Sequence, residues 1–136
     1  EHHSVFLARH QARLPASRGS SEKIVFHDPC YLGRYRGIYD EPREVMEGSA
    51  PVIEPGRTRN RSFCCGAGGG LMFLGEEKGK RVNIERAEEL VGTGAPVIAA
   101  ACPFCNTMFR DALPSISARP PKLLDIAQIA ARSLNK

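Results

Sequence analysis

No run of apolar residues in this 136-residue chain is long enough to cross a bilayer; the longest, Pro96 to Cys102, covers a fraction of a membrane span. An export signal is missing too, because His2, His3, Arg9, His10 and Arg13 interrupt any apolar core in residues 1–15. The net charge of +4 is mild and no long basic run accompanies it, which argues against a nucleic-acid partner. Five cysteines, an odd number, with no export signal expected, argue against a disulfide framework. The expectation is a reducing, cytoplasmic location, at the cytoplasmic face of a membrane if a parent protein carries it there. Glu1 stands where methionine would start a complete chain, so a piece of something longer is expected.

What is present is 42% apolar and 25% charged, the balance of an ordinary globular domain large enough to bury its own core. The spacing predicts a helix over Ser4–Leu14 ended by Pro15, then a polar connector at 16–21. The expected division is therefore an N-terminal helix and linker, 1–22, followed by a domain at 23–136. Short apolar runs predict strands at 23–27, 52–53, 97–101 and 122–124, with helices at 43–47, 76–91 and from Pro103 to Leu113. Asp125 with Gln128 resembles a capping box opening a last helix. Tyr31, Tyr35 and Tyr39 recur at helical spacing, which suggests packing. Strands alternating with helices imply an α/β fold: a small, mainly parallel sheet with helices packed over it. Ile24, Val25, Val97, Ile98, Leu124 and Ile129 are its expected core.

Cys30 and Cys102 each follow an expected strand, and Cys64-Cys65 precedes an expected helix start within SFCCGAGGG (62–70). Carboxyl ends of parallel strands share one rim, so cysteines distant in sequence are expected to converge there. Zinc needs four ligands, leaving one cysteine over, and adjacent ligands are awkward on one small ion. A multi-iron cluster spreads its bonding positions, so neighbouring thiolates reach different irons. The glycines let backbone N–H groups approach an anionic core, and helix starts at Cys65 and Cys102 would add favourable dipoles. A tight glycine turn with cysteines packed as small apolar residues is the plainer reading. Leu71 stands where a dinucleotide fingerprint needs its third glycine, and 75–80 is one residue short of a phosphate loop. Cys102-Pro-Phe-Cys105 alone would suggest thiol–disulfide exchange, but leaves three cysteines unexplained.

The order Cys30, 33 residues (31–63), Cys64-Cys65, 36 residues (66–101), Cys102-x-x-Cys105 resembles the CCG cysteine-rich domain. That domain occurs in heterodisulfide reductase B subunits, glycolate oxidase iron–sulfur subunits and related oxidoreductases. HDPCYLGR (27–34), YDEPRE (39–44), FCCGAGGG (63–70) and ACPFCNTM (101–108) carry the likeness. The resemblance implies a noncubane [4Fe–4S] cluster held by Cys30, Cys64, Cys65, Cys102 and Cys105, with zinc in air-handled material. It also implies a second such module and a ferredoxin-like module as partners, with a flavoprotein or quinone-linked redox partner beyond them. This chain carries one module and no C-x-x-C-x-x-C run, so it resembles a C-terminal module of a larger subunit that passes electrons or reduces substrate at the cluster. Two other functions stand beside it: a zinc-stabilised or metal-free assembly module of a respiratory or dehydrogenase complex, and thiol–disulfide exchange at Cys102 and Cys105.

No residue is singled out as catalytic. His27, three positions before Cys30, either donates a proton or hydrogen bond near the cysteines or is a satisfied strand-end histidine. Arg57, Arg59 and Arg61 would project together from an extended segment, as cluster counter-charge, donor-docking groups or a solvated loop. Asn106 and Thr107 are candidates for bonds to cluster sulfur.

Overall fold

In the computed structural model, residues 1–14, 21–76, 78–132 and 134 are described. Four strands, β1 (Ile24–Phe26), β2 (Val52–Ile53), β3 (Val97–Ala100) and β4 (Lys122–Asp125), form one sheet in the order β2-β1-β3-β4. Every pairing is parallel, with Phe26 opposite Ala99 and Ala100 opposite Asp125. The helices are α1 (His3–Arg9), α2 (Gly33–Arg36), α3 (Asp40–Glu47), α4 (Leu71–Leu74), α5 (Val82–Gly92), α6 (Pro103–Ile116) and α7 (Ile126–Arg132). The α/β expectation holds, and the central strands β1 and β3 read as unbroken apolar runs because both faces of the sheet are covered there.

Alternation along the strands divides the core. Ile24, Phe26, Val97 and Ala99 face one layer with Val45, Met46, Ile126 and Ile129. Val25, Ile98 and Ala100 face the other, with Ala87, Leu90, Met108, Phe109 and Leu113 of α5 and α6. Cys65 and Cys105 belong to this second layer. Leu124, expected in the core, is only partly buried against its edge. At Asp125 the capping box forms: the Gln128 amide oxygen accepts from Asp125 N–H at 2.9 Å, and Asp125 Oδ1 accepts from Ala127 N–H at 2.8 Å.

Several boundaries differ from the expected ones, each for a local reason. The first helix ends at Arg9 and a 3-10 turn, Gln11–Arg13, follows; Pro15 and the connector at 16–20 lie outside the described residues. The helix expected from Glu76 begins at Val82, because Gly79 takes φ +73° and the Glu76 carboxylate caps the Val82 N–H at 3.1 Å. In α6 the helix continues past Leu113 through Pro114, whose ring removes one backbone donor from the last turn. Tyr31 and Tyr35 are 71% and 74% exposed and stack on each other, while Leu32 fills the core position between them. Only Tyr39 packs as expected, against the α-carbon of Gly33.

The strand order reverses beside β1: the chain steps outward to β2, then returns across β1 to β3. In open parallel sheets the crevice outside the carboxyl ends at such a reversal is where ligands bind. Cys30 follows β1 and Cys102 follows β3, so both leave from this crevice.

Candidate metal centre

All five cysteines line one open cavity of about 240 Å³, bordered by Tyr31, Gly68, Gly69, Gly70, Met72, Phe73 and Phe104. Cys65 and Cys105 are buried, Cys30, Cys64 and Cys102 half-buried, and none is in a disulfide. The cavity wall at 68–70 is bare backbone, with Gly69 and Gly70 at φ +63° and +76°, a conformation that favours glycine. The donor set fits a thiolate-bound cluster: five sulfurs, small residues and an apolar surround in one pocket.

Two clamps hold the cysteine loops at the rim. Arg43, on α3, is buried; its Nη1 and Nη2 donate to Asp28 Oδ1 and Oδ2 at 2.8 and 2.9 Å, and Nη2 also donates to Glu54 Oε2 at 2.8 Å. Asp28 Oδ2 accepts the Arg59 N–H at 2.8 Å, and the Ser62 hydroxyl donates to the Asp28 carbonyl at 3.2 Å. The Cys30 loop is thereby tied to the segment that leads into Cys64. Burial alone would raise the Asp28 pKa, but hydrogen bonds from Arg43 and its positive charge hold the carboxyl below its ordinary value.

The second clamp lies under the sulfurs. Arg86, on the inner face of α5, has no exposed surface. Its Nε donates to His27 Nδ1 at 3.1 Å, and its Nη1 donates to the Arg57 carbonyl and to Glu89 Oε2, both at 2.8 Å. The His27 ring meets Phe109 edge-on at 4.8 Å between centroids. Burial, reinforced by the Arg86 charge, lowers the His27 pKa, so the ring is neutral at neutral pH. One ligand-capable atom each from His27, Cys65 and Cys105 lie within 4.8 Å of one another.

The thiols divide into two kinds. Cys65 accepts hydrogen bonds from Cys105, Cys64, His27 and the Ala67 N–H, which together push its pKa far down against the opposing effect of burial. Cys102 stands at the N-terminal boundary of α6 without a side-chain cap bond, and its pKa is lowered to about 6, chiefly by the Cys105 thiol and further by the nearby Cys105 and Phe104 N–H groups. Cys64 and Cys105, the donors in these bonds, are raised: Cys64 chiefly by its bond to Cys65, Cys105 by its bonds to Cys102 and Cys65.

The expected convergence of the cysteines is what the structure contains, and His27 is both a satisfied strand-end histidine and a partner of the centre. Other expectations fail. The helix start expected beside Cys65 is displaced: Gly66 turns left-handed at φ +87°, a 3-10 turn follows at Gly68–Gly70, and the short α4 begins at Leu71. Arg57, Arg59 and Arg61 do not project together, since Arg59–Arg61 forms a 3-10 turn. Arg57 pairs with Glu85 and Glu89 and stacks on Phe63, and Arg59 pairs with Asp40. Asn106 donates to the Cys102 carbonyl and Thr107 to that of Pro103, so their side chains brace the turn. Arg86 was not among the expected residues, although an arginine between Asn83, Ala87 and Leu90 on a buried stripe is the pattern that would have revealed it.

Comparison with known proteins agrees with this geometry. The model of the cysteine-rich domain family, CCG, matches residues 24–110. Over 138 residues the chain is 38% identical to FadF of Bacillus subtilis, described as a probable iron-sulfur-binding oxidoreductase, covering 98% of this chain and 20% of that protein. It is 35% identical to the EtfAB:quinone oxidoreductase of Syntrophomonas wolfei, with the same coverage of 98% and 20%. With a subunit of the dihydromethanophenazine:CoB--CoM heterodisulfide reductase of Methanosarcina mazei it shares 30% identity over 98% of this chain and 33% of the relative. The chain spans a fifth to a third of the length of these relatives.

Proposed function

Because this chain belongs to the cysteine-rich domain family, we propose that it is the iron–sulfur module of an oxidoreductase subunit, with Cys30, Cys64, Cys65, Cys102 and Cys105 holding a noncubane [4Fe–4S] cluster. The observation that carries this reading is the single cavity lined by all five sulfurs at the reversal point of the sheet. When bound, such a cluster supplies one-electron transfer. The protein's own part is to offer Cys65 and Cys102 already biased to thiolate, and to release the protons of Cys64 and Cys105 as ligands form. The Arg43–Asp28 clamp fixes the Cys30 and Cys64 loops, and the buried second layer keeps water from Cys65 and Cys105.

The relatives named as a quinone oxidoreductase and as part of a heterodisulfide reductase favour a module within a longer redox protein. A second cysteine-rich module, a ferredoxin-like module and a flavoprotein or quinone-linked partner would complete it, with residues 23–136 as the module and 1–22 as its lead-in. Among the described residues no helix is long and apolar enough to cross a membrane, so any membrane attachment would come from elsewhere in the protein. In air, the same thiols are expected to hold zinc or none. The test is anaerobic loading with ferrous iron and sulfide followed by redox cycling. A brown chromophore that bleaches on reduction and returns on reoxidation is expected; a colourless protein that keeps one zinc and refuses iron would overturn the proposal.

A further inference from the structure

The buried pair Arg86 and His27 gives the cysteine centre a polarity that the ligand set alone does not. A guanidinium has only donors and stays protonated in proteins. Arg86 is held by Glu89, by the Arg57 carbonyl and by Ser62, and it donates from Nε to His27 Nδ1. In the neutral ring Nδ1 is then the acceptor, and the single ring proton resides on Nε2. A ring nitrogen of His27 lies within 4.8 Å of the Cys65 sulfur, and that N–H is the only donor the ring can offer it.

We propose that Arg86 locks His27 as the Nε2–H tautomer, so that His27 donates a hydrogen bond to the Cys65 sulfur and acts as a positioning residue of the centre, not a sixth ligand. Ligation through Nε2 would move the proton to Nδ1. Two N–H donors would then face each other in a fully buried site, leaving both unsatisfied. The proximity of His27, Cys65 and Cys105 therefore marks a donor beside two sulfurs. An N–H aimed at a ligand sulfur stabilises the more electron-rich state and raises the reduction potential.

The tautomer does not depend on the cluster; the effect on potential rests on the proposed cluster function. Two measurements separate them. Long-range proton–nitrogen correlation on the reduced, metal-free wild-type chain should give His27 the pattern of a neutral ring protonated at Nε2; a ring protonated at Nδ1 would overturn the lock. In the iron-loaded chain His27→Leu should shift the reduction potential to more negative values, while His27→Gln, which keeps an N–H, should return it toward wild type. Equal potentials in all three proteins would refute the role at Cys65. A chain that takes up no iron would overturn the cluster reading and leave the nitrogen spectrum to decide the tautomer.

Discussion

Gly66 is the position where the backbone around the cysteine pair tolerates least. Its φ of +87° is left-handed, and a Cβ there would lie 3.1 Å from Val82 Cβ and 3.2 Å from the backbone nitrogen of Asn83, both in the first turn of α5. The conformation alone costs an L-residue about 1–2 kcal/mol, and crowding a packed turn adds about 1–3 kcal/mol. Gly66→Ala is therefore expected to lose about 3 kcal/mol, with the lower part already covered by the backbone term. For a chain of this length each kcal/mol lowers the melting temperature by about 3–4 °C, so a drop of about 10 °C follows. Gly68→Ala is the control: it lies two residues on, its φ is not left-handed, and its Cβ would meet nothing within 4 Å. It should melt within about 1–3 °C of wild type, on the high side if the unfolded chain loses freedom. Scanning calorimetry on the reduced, metal-free proteins makes the comparison. Because the Gly66 N–H also donates to Cys64 Sγ at 3.3 Å, the loaded Gly66→Ala protein should hold iron less firmly. Equal melting temperatures for the two variants would refute the steric argument.

Four further outcomes are expected. Cys65→Ser should fold, since its site lies at one end of a large core, yet lose or alter the cluster's paramagnetic spectrum; an unchanged spectrum at full iron content would mean that Cys65 only packs. Arg43→Met strands a buried carboxylate and should cost about 3–5 kcal/mol in urea unfolding, with part of the loss recovered in the double variant with Asp28→Asn. The same clamp gives a pH dependence: Asp28, against burial, and Glu54, through its bond to Arg43, have lowered pKa values. Their stabilisation is present above the ordinary carboxylate range and lost as pH falls through the folded values, so the urea midpoint should drop from about pH 5 downward and drop less in Arg43→Met. In the metal-free chain, alkylation at Cys102 should rise as pH passes about 6, where its thiolate forms; a rise only above about pH 8 would contradict stabilisation of that thiolate by Cys105 and the neighbouring N–H groups.

The sheet and the convergence of cysteines were legible because both follow from local pattern and from one topological rule. Short apolar runs marked the strands, and the rim of a parallel sheet then gathered whatever followed Phe26 and Ala100. Features that depend on partners far along the chain were not legible. Arg86 and His27 are 59 positions apart and Asp28 and Arg59 are 31 apart, so no spacing pattern links them. The alternating arginines misled because Arg59 takes φ +55° and breaks the extended run, with Asp40 and Glu89 supplying partners that sequence order hides. Helical spacing of the tyrosines was misleading because Tyr31 precedes α2 and Tyr35 lies on its exposed side, while Leu32 takes the buried position. The start of α5 moved for a comparable reason, Gly79 being placed where the expected helix needed an ordinary residue.

The central claim, that five thiolates share one cluster, is tested most directly by native mass spectrometry of the anaerobically loaded chain. A single loaded species is predicted, heavier than the metal-free chain by about four irons with their sulfides, formed all at once, and lost all at once on chelation. A ladder of one-metal additions, or one stable species carrying a single zinc, would contradict it.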